Sequence, residues 1–305
     1  MPKITIIVVA YRSRETIGKC VSSLPSDAEI IVVDNSSGSE KIEAASLPHG
    51  VTLLSNSTNV GFGRACNQGI ELAKGEYTLV LNPDAWATAP QDALQLAEFL
   101  DENAEAIAVG GRLVLPSGSV QLSCARELTL GAVFLEQTLL EKLVRGYWID
   151  TSSGTKPVKV PQVTGACFMM KRVNGEFLRF DDRFFLYCED TELMKRLAEH
   201  GEIYHLPTAV FHHELGASSN KNRWFAVACY NRGKELYFEI HKGKDASLIC
   251  LFLNRSGALL RLLIWSISTI LTLGMLRRFR EAAATFARVL FAPVDSYKGL
   301  LNTRR

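Results

Sequence analysis

The chain alternates between short, wholly apolar runs and stretches in which apolar residues recur every three or four positions. Ile4-Thr-Ile-Ile-Val-Val-Ala is continuous and largely β-branched, which predicts a strand buried on both faces, as in a parallel sheet. Residues 14–24 have helical spacing through Ile17, Val21 and Leu24. After Pro25 a second buried strand, Glu29-Ile-Ile-Val-Val, runs into Asp34-Asn-Ser-Ser. This is a βαβ unit with polar residues, among them Tyr11 and Asp34, at both strand tips. Val51-Thr-Leu-Leu predicts a third strand, and a helix to about residue 74 follows Asn59-Val-Gly-Phe-Gly-Arg-Ala-Cys-Asn-Gln-Gly. Tyr77-Thr-Leu-Val-Leu-Asn-Pro-Asp is a fourth strand that stops at Pro83, because proline has no amide to continue a ladder. A helix over residues 91–103 then precedes a short strand at 106–111.

The second half is less regular. Residues 134–144 are apolar at helical spacing, and 146–159 form a polar loop of the sort that shapes a second substrate's site. Residues 163–170 predict a strand, 180–192 bring aromatics and carboxylates together, and 192–200 continue as a helix. Short strands are expected at 203–206 and 209–213, leading into 214–219. From residue 247 the composition changes. Residues 262–276 carry no charge, but they are fewer than the roughly 20 a spanning helix needs, and Arg255, Arg261, Arg277 and Arg278 border them closely. The expectation is a helix lying in a membrane interface with arginines reaching anionic headgroups; the alternative is a core helix.

Composition narrows the class. With 47% hydrophobic and 22% charged residues, a chain of 305 residues is globular and long enough for one large or two ordinary domains. Seven scattered cysteines without a C-x-x-C pair argue against a disulfide framework or a zinc site, and fit a reducing, cytosolic setting. The first residues enter a strand pattern directly, so secretion is not expected. Net charge is +2, yet residues 255–305 hold nine Arg or Lys against Glu281 and Asp295, a balance of +7 that leaves −5 for the remainder. The basic tail is therefore a local device on a slightly acidic body. Nucleic acid is not an expected partner.

Several polar residues stand where chemistry is expected. The carboxyl ends of strands in an open α/β sheet are where ligands bind, so Asp84 is placed to hold a metal or a polar substrate, although an Asx turn explains Asn82-Pro-Asp84 equally well. The Asn59–Gly69 stretch offers two glycines, Arg64 and the first turn of a helix, a plausible phosphate cradle. It lacks the third glycine of the dinucleotide fingerprint and follows the third strand, which excludes an NAD-binding reading. Asp190, or Glu189 beside it, suits general-base work, while all of Glu189, Asp190 and Glu192 could simply cap a helix.

Taken in order, Asp34-Asn-Ser-Ser, the Asn59–Gly69 stretch, Asn82-Pro-Asp, Phe184-Phe-Leu-Tyr-Cys-Glu-Asp-Thr-Glu and His213 with Ser218 behind it resemble the family 2 inverting glycosyltransferases of the GT-A fold. The likeness covers roughly residues 3–240 and is nearest to the rhamnosyltransferase branch. It implies an α/β fold in which a nucleotide-sugar-binding domain carries a mostly parallel central sheet. The nucleotide-binding half would be 1–110 and the acceptor and catalytic half 111–240, with 241–305 a helical, membrane-interfacial region.

The resemblance also implies roles. Tyr11 and Asp34 would bind the base or ribose. Asn59, Gly61, Arg64 and Asn67 would lie near the diphosphate, and Asn82 would contact the donor or a metal-bound water. Asp84 and His213 would hold Mg²⁺ or Mn²⁺. Asp190 would be the catalytic base, raised in pKa by apolar neighbours, with Glu189 the alternative and Glu192 on the acceptor side. Three departures stand out: Asn82 replaces the first acid of the family's D-x-D element, Glu192 stands where Asp is usual, and the glycine pair before Phe180 is missing. The implied activity moves a sugar, best L-rhamnose from dTDP-L-rhamnose, onto a lipid-linked or polysaccharide acceptor for cell-surface polysaccharide. The enzyme would be cytoplasmic, peripheral on the anionic inner face of the membrane. Rivals are a sugar nucleotidyltransferase, for which the glycine-rich basic loop after the first strand is absent, and a catalytically silent sugar-nucleotide-binding scaffold.

Overall fold

The computed structural model describes residues 3–144, 146–214 and 222–293. Ser218 and the basic residues after 293 lie outside them. In chain order the elements begin β1 (Ile4–Ala10), α1 (Ile17–Ser22), β2 (Glu29–Asp34), β3 (Thr52–Ser55), α2 (Phe62–Leu72), β4 (Tyr77–Leu81), β5 (Ala85–Ala87) and α3 (Gln91–Glu102). Next come β6 (Ala106–Val114), β7 (Val120–Gln121), β8 (Cys124–Ala125), α4 (Leu130–Gln137), β9 (Trp148–Ile149), β10 (Val158–Lys159), β11 (Gln162–Val163) and β12 (Cys167–Lys171). The last are α5 (Glu189–Leu197), β13 (Glu202–His213), α6 (Arg223–Lys242), α7 (Lys244–Leu271) and α8 (Arg277–Leu290).

Two compact units divide these elements. The first, within 3–127, 148–183 and 189–214, is built on a ten-stranded sheet with the path β10-β13-β6-β12-β4-β1-β2-β3. β1, β2, β3 and β4 pair in parallel, as do β6 and β13, while β12 runs antiparallel between β4 and β6. The apolar runs are continuous because both sheet faces are covered. Ile4, Ile6, Val8 and Ala10 pack with α1 and α3, whereas Ile7 and Val9 pack with Ala65 and Ile70 of α2 and Leu193 and Leu197 of α5. The result is the helix–sheet–helix sandwich expected of parallel strands.

The two short strands expected at 203–206 and 209–213 are one strand, β13. Pro207 cannot donate to the ladder, and it sits in a register shift between Leu206 and Val210, where an irregularity absorbs it. The helix expected at 192–200 begins earlier, at Glu189, which puts Glu189 and Asp190 in its first turn.

The second unit, within 128–144, 146–147, 184–188 and 222–293, is helical. Its core joins Val133, Phe184, Phe185, Phe225, Cys229, Tyr237, Phe238 and Cys250. The boundary expected at residue 240 therefore shifts: α6 belongs with the C-terminal helices, because its apolar residues pack on α7 and on the 184–188 segment rather than on the sheet. Tyr187 and Cys188 are both left-handed (φ 69° and 65°), and a Cβ at Gly233 of α6 would come within 2.5 Å of the Tyr187 carbonyl oxygen. Only glycine fits there. The apolar tail helix is also longer than 262–276: α7 spans 28 residues from Lys244, and the chain reverses at Leu273 and Gly274 (φ 49° and 70°) before α8.

Candidate functional site

The carboxyl ends of β1, β2 and β4 lie side by side, since β1 pairs with both of the others. Beyond β4 the chain turns at Asn82-Pro83-Asp84, with the Ala85 amide donating to the Asn82 carbonyl at 3.0 Å. β5 then pairs with the end of β13, Ala85 opposite His213 and Trp86 opposite His212. This register brings Asp84 to His213. Asp84 Oδ1 lies 3.3 Å from His213 Nε2, and Asn82 Nδ2 is also 3.3 Å from that nitrogen.

The other ring nitrogen fixes the tautomer. His213 Nδ1 is 2.8 Å from Gln121 Oε1, an oxygen that can only accept, so Nδ1 carries the proton. In the neutral ring the Nε2 lone pair then faces a carboxylate oxygen. Two electron-rich atoms converging in this way suit a shared cation. Among the described residues no third His, Cys, Asp or Glu joins them. A hard divalent ion that takes its remaining ligands from water and phosphate oxygens fits such a set. Sequence reasoning missed Gln121, which lies in a stretch without periodicity; the tautomer it enforces is visible only once β7 and β13 are both seen paired with β6.

The carboxylates at the start of α5 separate into distinct environments. Asp190 keeps part of its surface open, and its oxygens accept from the Gly165 amide (2.7 Å) and the Thr191 amide (2.8 Å). Burial pushes its carboxyl above the usual range, and these amides pull it back. Glu189 is buried, its Oε2 has no hydrogen-bond partner, and burial followed by the Asp190 charge raises it to about 8. Near neutral pH Glu189 therefore holds a proton. Glu192, expected on the acceptor side, is instead sealed at 1% exposure in a bidentate pair with Arg196 (2.7 and 2.6 Å). The i, i+4 spacing on α5 makes that pair available without any ligand.

The expected phosphate cradle is largely an internal knot. Asn59 Oδ1 accepts from the Gly61 amide (2.9 Å), and Asn35 donates to the Gly61 carbonyl (3.1 Å). Asn67 is buried; it donates to Phe180 O and Asp182 Oδ1 and accepts from the Phe180 amide. Gly61 and Asn67 thus have their polar groups satisfied within the protein, because α2 must be fastened to the glycine-poor segment at 180–182. Arg64 donates through Nε to the Asp182 carbonyl (3.0 Å) but stays exposed. Asp34 is fully buried, and its two oxygens accept from the Ser36 and Ile42 amides at 2.9 Å each, which holds the 34–42 loop. Tyr11 sits at the β1 tip beside Arg12, whose amide donates to Ser36 Oγ (2.8 Å).

Comparison with known proteins identifies the family and the fold. The family model for glycosyl transferase family 2 matches residues 5–173. The chain is 26% identical over 263 residues to the N-acetylglucosaminyl-diphospho-decaprenol L-rhamnosyltransferase of Mycobacterium tuberculosis, covering 78% of this chain and 85% of that one. It is 29% identical over 154 residues to a succinoglycan biosynthesis protein of Rhizobium meliloti, covering 46% and 44%. Among solved structures, GalNAc-T7 with UDP, GalNAc and Mn²⁺ superposes with a TM-score of 0.56 at 16% identity, over 94% of this chain and 55% of that one. That likeness shows the GT-A fold alone. The family match covers more than half of the sequence, and with the fold it establishes that the chain belongs to glycosyl transferase family 2.

Proposed function

We propose that the chain is a metal-dependent inverting glycosyltransferase that moves L-rhamnose from dTDP-L-rhamnose to a lipid-linked or polysaccharide acceptor at the inner face of the membrane. The observation that carries the metal-dependent chemistry is the Asp84–His213 pair, with the histidine's unprotonated nitrogen turned to the carboxylate by Gln121 and Asn82 beside it. The choice of rhamnose and of a lipid-linked acceptor is supported by the named activity of the mycobacterial relative.

Asp84 and His213 would hold Mg²⁺ or Mn²⁺. When bound, such an ion would supply positive charge that offsets the negative charge growing on the departing diphosphate. Asn82, hydrogen-bonded toward the same nitrogen, contacts the donor or a metal-bound water. The rest of the chemistry falls to Asp190. As the acceptor hydroxyl attacks the anomeric carbon, the carbon–oxygen bond to the diphosphate breaks and the hydroxyl proton passes to Asp190. Its ionised form is held in place by the Gly165 and Thr191 amides. Glu189, already protonated, is not a competing base. Tyr11 and exposed Arg64 remain the candidates for nucleoside and phosphate contact, while Asp34, Asn59, Gly61 and Asn67 shape the loops around them.

The donor is tested by thermal shift with dTDP, UDP and GDP sugars, with and without Mn²⁺. A ligand at 100 times its dissociation constant should add roughly 2.7 kcal/mol of stability. dTDP-L-rhamnose with Mn²⁺ is expected to give the largest shift; a larger one with a UDP or GDP sugar would reassign the donor, and no shift with any would overturn the reading.

Gln121 gives a separate test of the metal site. Gln121→Leu should weaken Mn²⁺ binding in the presence of dTDP by roughly 10–100-fold, read by electron paramagnetic resonance, because the imidazole loses the acceptor that orients it. Gln121→Glu keeps an acceptor and should restore most of the affinity. Equal affinity in all three proteins would show that Gln121 does not orient the ligand.

A further inference from the structure

α7 is long and apolar enough to cross a bilayer by length and composition, and only 22% of its most apolar stretch is buried. Its contacts argue against a crossing. Cys250, Asn254, Gly257 and Ala258 are the residues it buries, one stripe of a helix turned toward the rest of the second unit. Asn254 bonds to Glu235 (2.9 Å) and to Asn231 O (3.2 Å) on α6. Arg255 donates to the carbonyls of Val289 and Ala292 at the end of α8. Arg261 donates to Glu136 O and Gln137 O on α4, and a Cβ at Gly257 would strike Gln137.

The opposite stripe is mostly apolar, with Ser256 the exposed polar residue along it between Leu248 and Ile270. Leu248, Phe252, Leu259, Leu263, Ile267 and Ile270 are exposed at helical spacing, and the turn that follows exposes Leu273 (85%) and Met275 (75%). No Asp or Glu occurs from 246 to 276. α8, packed along α7, exposes Arg277, Arg278 and Arg280 at one end and Arg288 at the other, against Glu281 alone. Were α7 to span, Arg288, which lies where Arg255 of mid-α7 meets the end of α8, would be carried into hydrocarbon at a cost of about 2.5–3.5 kcal/mol near its centre.

We infer that α7 is a one-leaflet anchor: its Leu248–Ile270 stripe and the 273–276 turn lie flat among the acyl chains of an anionic bilayer, with the α8 arginines at the phosphate level and no crossing. The inference rests on the membrane part of the function proposed above. It enlarges the contact to the whole of α7 and fixes which face makes it. The occupant is a lipid surface rather than a protein, because a long apolar stripe without acidic residues, flanked by exposed arginines, matches acyl chains edged by anionic headgroups.

The test uses the full chain and vesicles with or without phosphatidylglycerol. The wild type should sediment with the anionic vesicles. The triple variant Phe252→Glu, Leu263→Glu, Ile267→Glu changes only exposed positions, and should lower partition at least about tenfold with an unchanged circular dichroism spectrum. The seven native thiols are all buried, so exposed cysteines introduced one at a time by Lys244→Cys and Arg278→Cys should both react, above the wild-type background, with a membrane-impermeant thiol reagent added outside the vesicles. Absence of wild-type binding would remove both the anchor and the membrane reading. Undiminished binding by the triple variant would overturn this face while leaving membrane association in place, and labelling of only one cysteine would show a crossing instead.

Discussion

Asp190→Asn is expected to lower sugar transfer by about 10²–10⁴-fold, the usual worth of a positioned general base, while leaving donor affinity unchanged. Asparagine preserves volume and one accepting oxygen, so one of the Gly165 and Thr191 amides keeps its partner while the other loses it, and the side chain cannot take a proton. Calorimetric titration of donor with metal separates the two effects: loss of affinity together with rate would mean that Asp190 organises the donor site, and substantial remaining turnover would exclude it as the base. The pH profile adds a sign. Burial raises the Asp190 carboxyl, so the acidic limb of the wild-type rate should fall above the ordinary carboxylate range.

The second large effect is on stability. Glu189 is raised to about 8 in the folded protein against about 4.5 for the free group. Below that lower value both states are protonated and nothing is lost. As pH rises, the unfolded chain ionises while the folded one does not, so the wild type loses about 1.4 kcal/mol per pH unit until the folded group also titrates. Glu189→Gln has no proton to lose. Its Tm should therefore exceed that of the wild type clearly at pH 8, with the advantage shrinking toward pH 5. A difference that is the same at both values would show that Glu189 is not buried as a neutral acid.

Much of the first unit is legible in sequence because burial on both faces leaves an unmistakable mark. β1, β2 and β4 are uninterrupted apolar runs, and their tips predict where Asp84 must stand. The site's partners are less legible for three physical reasons. Pro207 splits the pattern of β13, which hides the fact that His213 ends a twelve-residue strand. Gln121 acts through a two-residue strand that has no period to detect. Glu192 and Arg196 announce their pairing by spacing, but the family resemblance directed attention to the acceptor instead. For α7 the uncharged run marks its most apolar part, whereas the full helix needs the packing of Asn254, Arg255 and Arg261 to be seen.

The antiparallel β12 between β4 and β6 also bears on how the chain is made. Asn82 and His213, which meet at the site, are 131 residues apart in sequence. β6 gains one neighbour when β12 emerges from the ribosome, but the edge that β13 will cover stays open for about 40 residues more, or roughly 2–8 s of synthesis. During that interval a nearly buried nine-residue strand presents unpaired amides and carbonyls to any other nascent chain. A fragment cut at residue 173, where the family match stops, would keep that edge open permanently and would lack Asp190 and His213. The smallest piece able to cover that edge of β6 along its length must reach the end of β13.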